Sequence, residues 1–138
     1  MDDANIAGQD DLKAIEQTVL DYIEGFYDGD DARMERALHP ELAKRIAYLD
    51  AASGRGALAE MSALALTKLT RQKADRPTPA VERQQEVVVF GIYNNAASAR
   101  VIASTWIDYL HLSRLNGRWV IVNVLWEMKT GHAFKPYW

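Results

Sequence analysis

The chain predicts an α+β fold from three observations. Apolar residues recur at helical spacing through the first half, β-branched and aromatic residues alternate through the last third, and a polar segment with two prolines separates the regions. Helices first and an antiparallel meander last is the expected order. At 138 residues the chain fits one domain, 1–138, able to bury roughly two-thirds of its unfolded surface.

Residues 9–27 place Leu12, Ile15, Val19, Tyr22 and Phe26 at spacings of three and four, with Leu20, Ile23 and Tyr27 widening the stripe. That pattern predicts a long amphipathic helix. Asp28-Gly29-Asp30 ends it: glycine adopts the left-handed position and Asp30 can cap a second helix, "DARMERAL". This helix stops at His39-Pro40, because proline disfavours helical geometry in the residue before it. A short extended piece follows around "RIAYL". Gly54 and Gly56 then lead into a third helix, "ALAEMSALALTKLTRQ", with Leu58, Met61, Ala65 and Leu69 on one face. Residues 71–85 lack apolar periodicity and form a polar connection.

From Glu86 the period becomes two. Strands are expected over Val87 to Tyr93, Ser98 to about Arg114 and Arg118 to Glu127, leaving 128–138 as a C-terminal tail. The middle strand is long enough to need a bend or bulge. Asn116-Gly117 is a two-residue hairpin signal, since both positions tolerate positive φ. Counting outward without interruption pairs Leu112 with Ile121, Leu110 with Asn123, Asp108 with Leu125 and Trp106 with Glu127. Trp106, Asp108, Asn123 and Glu127 then share a face. Ile107, Tyr109, His111, Val122, Val124 and Trp126 share the other, an apolar patch large enough to predict a homodimer joined through the sheet. Near the hairpin tip, Arg114 stands beside Trp119 as a cross-strand cation–π pair.

A carboxylate among apolar strand residues must be paired, wetted or used. Asp108 is therefore either a structural carboxylate or a desolvated general acid or base. His39, at a helix boundary, is a second catalytic candidate, although it could equally cap helix carbonyls. His111 falls on the face opposite Asp108, so no dyad is expected between them. Tyr22, Phe26, Tyr48 and Trp106 would supply an aromatic lining for a flat ring, with Asn123 and Glu127 as polar contacts.

Several functions are excluded. With no cysteine, disulfides, thiolate catalysis and cysteine-based zinc sites cannot occur. A net charge of −3 argues against nucleic acid, and the basic cluster Arg71, Lys73, Arg76 and Arg83 reads as a solvated loop. "DGDDARMERALH" has Arg33 and His39 where a calcium loop needs Gly and Glu. "GRG" at 54–56 lacks the rest of a phosphate loop, and neither G-x-S-x-G nor H-E-x-x-H occurs. No metal or cofactor is expected. The acidic start carries no signal-peptide pattern and no run reaches the ~18 apolar residues of a membrane span, so a cytoplasmic protein is expected.

"YIEGFYDGDDARMERALHPELAKR" (22–45) together with "WIDYLHLSRLNGRWVIVNVLWE" (106–127) resembles the nuclear transport factor two-like superfamily, and within it the putative lumazine-binding branch, over nearly the whole chain. The resemblance implies a cystatin-like α+β cone, with three helices packed in the concave face of a bent antiparallel sheet. It further implies a sheet-to-sheet dimer and a pocket between the first helix and the concave face. Relatives with this fold include ketosteroid isomerases, polyketide cyclases and scytalone dehydratase, which do acid/base chemistry in that pocket. Three functions are therefore expected in competition. The first is binding of an unidentified small molecule, partly aromatic or apolar. The second is an acid/base enzyme of isomerase, dehydratase or cyclase type using Asp108, with His39. The third is a structural dimer whose cavity is filled by its own side chains.

Overall fold

The long amphipathic stretch folds as one helix, α1 (Asp3–Asp28), whose apolar stripe buries Ile15, Val19, Tyr22, Ile23 and Tyr27 almost completely. The computed structural model describes residues 3–135, with side chains from residue 8 onward; the last three residues of the expected tail, 136–138, lie outside the described residues. As the sequence implies, Gly29 breaks the helix in a left-handed conformation, φ 71°. Asp30 caps α2 (Asp31–Ala37), its carboxylate accepting the Arg33 backbone N–H at 3.1 Å. The Arg33 guanidinium clamps α2 to α1, donating to Asp21 at 2.9 Å and Glu24 at 2.6 Å.

The next segment departs from expectation. Where a short extended piece was expected, a twelve-residue strand, β1 (Leu38–Leu49), starts directly after α2 and runs through His39-Pro40. Residues 56–62, expected to open the third helix, form β2 (Gly56–Ser62), paired antiparallel to β1. Here Leu58 and Met61 match helical spacing, but the burial alternates: Ala57, Ala59 and Met61 are more covered than Leu58, Glu60 and Ser62. A strand can bury that face against the helices at the sheet edge, which outweighs the local helical pattern. The helix α3 (Ala63–Gln72) begins only at Ser62, whose hydroxyl accepts the Ala65 N–H at 3.1 Å. Two short 3₁₀ turns, 73–75 and 80–82, shape the polar connection.

The remaining strands are β3 (Glu86–Tyr93), β4 (Ala96–Ile102), β5 (Trp106–Leu115) and β6 (Arg118–Met128). The single long strand expected from Ser98 is thus two, folded back at 103–105, where the Ala103 N–H donates to the Trp106 carbonyl at 2.9 Å. The six-stranded sheet has the order β2-β1-β6-β5-β4-β3. Its pairings are antiparallel except β1 with β6, which is parallel, so the sheet is mixed rather than wholly antiparallel. Helices cover its inner face, with the Thr18 hydroxyl donating to the Trp119 carbonyl at 3.0 Å. At the hairpin tip Arg114 lies over Trp119, 5.5 Å from the ring centre, and Asp11 of α1 accepts from both. Among the described residues no helix is long and apolar enough to cross a membrane.

Candidate functional site

The hairpin turn forms at Asn116-Gly117 with φ of 52° and 76°, and the pairing runs as counted from Leu115↔Arg118 to Leu112↔Ile121. A bulge then intervenes. His111 pairs with Asn123, leaving Val122 as the extra residue, and Asp108 pairs with Trp126. A slip of one residue exchanges the faces of everything beyond it. Val124, Trp126 and Met128 therefore join Trp106, Asp108 and Leu110 on the inner face, while Asn123, Leu125 and Glu127 turn outward. Exchanging an amide and a carboxylate for a valine and a tryptophan is the favourable direction for a covered face.

The slip takes Asn123 and Glu127, both expected as ligand contacts, off the cavity face. Asn123 sits on the outer face, its amide 3.2 Å from His111 Nδ1. The same slip takes Val124 and Trp126 out of the apolar patch expected on the outer face. His39 is also elsewhere: its Nδ1 accepts the Glu41 backbone N–H at 3.0 Å, and it forms no part of the cavity wall. Tyr48 lies behind the wall, its ring 5.7 Å from Phe134.

The inner face encloses a cavity of about 300 Å³ between α1, α3, the inner ends of β1, β2, β5 and β6, and the segment after β6. Of the residues expected there, Tyr22 and Phe26 come from α1 and Trp106 from β5. Phe26 meets Trp106 edge to face, with ring centres 5.6 Å apart. Trp126, expected in the outer apolar patch, and Phe134, which the sequence did not single out, form a second edge-to-face pair at 5.5 Å. Leu66, Leu69, Met61 and Met128 complete the apolar wall.

Beneath this wall lies a polar cluster. Trp106 Nε1 donates to Asp108 Oδ2 at 2.8 Å. Lys44 Nζ donates to the Tyr22 hydroxyl at 2.5 Å and stands 3.7 Å from Asp108 Oδ1, an oxygen that is buried and without a hydrogen-bond partner. The Lys44 ammonium also lies over the rings of Tyr22 and Trp126, 5.1 and 5.2 Å from their centres. Burial pushes the Tyr22 phenol well above its usual range, and the neighbouring Asp108 charge adds to that shift. Burial lowers Lys44 even though Asp108 favours its charged form. The phenol is thus held protonated, and the amine gives up its proton more readily than a surface lysine.

Lys44 is the main omission of the sequence reading. Its signal was the alternation Leu42, Lys44, Ile46, three inward positions of β1, which is recognisable only once 38–49 is read as a strand. Nothing local marks Trp126, because the bulge decides its face, or Phe134, which follows the last strand. Among the described residues, no three acidic or histidine side chains converge as metal ligands.

Residues 10–127 match the protein family described as "Putative lumazine-binding". The chain belongs to this family. Among solved structures, this member of the lumazine-binding family is similar to an NTF2-like protein of unknown function from Silicibacter pomeroyi. The two are 18% identical over 88% of this chain and 98% of the other, with a TM-score of 0.70. It is also similar to an NTF2-like protein with a cystatin-like fold from Novosphingobium aromaticivorans (14% identity, 96% and 93% coverage, TM-score 0.64). A putative scytalone dehydratase from the same organism is 14% identical over 99% and 95%, with a TM-score of 0.62. At these identities the likeness establishes the NTF2-like fold and leaves activity aside. A search of curated proteins found no match.

Proposed function

We propose that the protein binds a small, partly aromatic molecule in the cavity between α1 and the inner sheet face. The supporting observation is that one space of about 300 Å³ joins the aromatic walls of Phe26, Trp106, Trp126 and Phe134 to the buried Lys44–Tyr22–Asp108 cluster. Convergent polar groups at the end of an apolar pocket are the usual design of a small-molecule site. A cavity of that size also counts against the reading in which the protein's own side chains fill it.

Native mass spectrometry of the protein from its own cells is expected to show a mass excess that denaturation removes. Lumazine, which the family's name suggests, is the first compound to titrate, followed by tryptophan fluorescence. A protein with no mass excess and no response to lumazine or to a panel of fused-ring compounds would overturn the proposal.

One observation favours a second reading, acid/base catalysis of isomerase, dehydratase or cyclase type. Asp108 Oδ1 is buried with no hydrogen-bond partner, 3.7 Å from the Lys44 ammonium, so a carboxylate oxygen with an open acceptor position stands directly behind the lysine of the cavity wall. Asp108 is not itself on the wall, and Lys44 or Tyr22 would be the group that meets the substrate. His39, away from the wall, takes no part. Turnover lost in Asp108→Asn with binding retained would distinguish catalysis from simple binding. We also propose that two copies pair through the outer sheet face, where Tyr109 and Leu125 stand opposite each other and about half exposed.

A further inference from the structure

Among the described residues, every ionisable group of formal charge on the cavity wall is a cation. Lys44 stands buried at its base and Lys135 exposed at its rim. Lys73 adds a third positive charge, 5.1 Å over the ring of Phe26. The acids are placed differently. Asp108 is fully buried behind Lys44 and off the wall, and Glu60 is largely exposed and paired with Arg45 at 3.6 Å.

The Lys44 ammonium is also under-used. It has three N–H donors, of which one reaches the Tyr22 hydroxyl, while Asp108 at 3.7 Å lies beyond hydrogen-bonding distance. A buried cation held by one neutral acceptor, one offset carboxylate and the ring faces of Tyr22 and Trp126 still has N–H donors without an acceptor. An anionic oxygen entering from the cavity would supply the missing acceptor.

We propose that the cavity selects planar molecules bearing one acidic oxygen group, a carboxylate or an ionised enol, which docks on Lys44 while the ring packs between the Phe26–Trp106 and Trp126–Phe134 pairs. This rests on the small-molecule reading above and names the ligand class for that site. The burial that makes Lys44 a reluctant cation also makes a second anion beside it more valuable than at a wetted surface.

Three probes sharing one ring separate the possibilities: 2-naphthoate, the isosteric neutral 2-naphthamide and cationic 2-naphthylmethylammonium, titrated calorimetrically at neutral pH. The expected order is naphthoate tightest, by about tenfold or more over naphthamide, the scale of one charged hydrogen bond, with the ammonium weakest. Lys44→Met should bring naphthoate and naphthamide to equal affinity. If that variant does not fold, the ammonium nitrogen resonance of Lys44 in the wild type should move with naphthoate and stay in place with naphthamide. Equal binding of naphthoate and naphthamide by the wild type would overturn the proposal and leave the cavity reading intact. A naphthoate preference that survives Lys44→Met, or an unmoved Lys44 resonance, would also overturn it. Failure of all three probes to bind would overturn this proposal and count against the cavity reading together.

Discussion

The ammonium of Lys44 stands 3.7 Å from Oδ1 of Asp108, with the two side chains 10% and 0% exposed. The pair bridges β1 and β5 across the inner face of β6, over the strand that carries Trp126. Two charges removed from water in this way are costly to bury and more costly to separate.

Removing either partner should therefore destabilise the fold. Lys44→Met or Asp108→Leu alone is expected to cost about 3 kcal/mol, and the double variant to recover most of the loss, because each single change leaves a buried group uncompensated. Urea denaturation of the four proteins gives the coupling energy. Additive costs would show that the pair does not interact.

The cluster also implies a pH dependence. Lys44 is lowered from 10.5 by burial. Between its lowered value and 10.5 the unfolded chain binds more protons than the native one, so this group makes stability rise with pH across that window, and its cost is gone above 10.5. Tyr22 acts oppositely, since it is raised well above 10.0 by burial and by Asp108. Above pH 10 the unfolded chain releases the phenolic proton while the native state keeps it, so stability falls. Denaturation midpoints from pH 8 to 11 should lose the rise in Lys44→Met and the fall in Tyr22→Phe. Variants that track the wild type throughout would contradict the assignment.

Gly29 and Gly54 share a φ of 71° but differ in surroundings. A Cβ on Gly29 would meet the Ala74 backbone nitrogen at 2.2 Å, whereas one on Gly54 would meet nothing within 4 Å. Gly54→Ala should cost only the left-handed strain, about 1–2 kcal/mol. Gly29→Ala adds a backbone clash and should lower the thermal midpoint distinctly further, since the turn after α1 would have to part from the segment after α3. Equal costs would mean that this contact yields freely.

If two copies pair through the outer sheet face, Leu125→Glu should break the pairing. Leu125 is 52% and Tyr109 46% exposed in the single chain, and a carboxylate between them would be desolvated without a partner on association. Light scattering at micromolar concentration is expected to show a dimer for the wild type and a monomer for the variant. A wild-type monomer would remove the proposal.

Features set by near neighbours are readable from the residues alone. The α1 stripe, the Gly29 break, the Asp30 cap and the Asn116-Gly117 turn each depend on a few adjacent residues, so their physics is written within a window of that size. Hence the α+β class, the aromatic residues Tyr22, Phe26 and Trp106, and the inward placement of Asp108 were all legible. Tertiary structure decided the rest, where two local options were nearly equal and distant burial chose between them. Residues 57–62 satisfy either helix or strand, and the partner β1 selects strand. The β6 sequence Ile-Val-Asn-Val-Leu-Trp-Glu can present either alternate set, and the bulge at Val122 turns Val124 and Trp126 inward because that face is covered. Lys44 and Asp108 meet only because β1 pairs in parallel with β6. That pairing joins strands remote in sequence through contacts that no periodicity encodes, and the chemical character of the cavity follows from it.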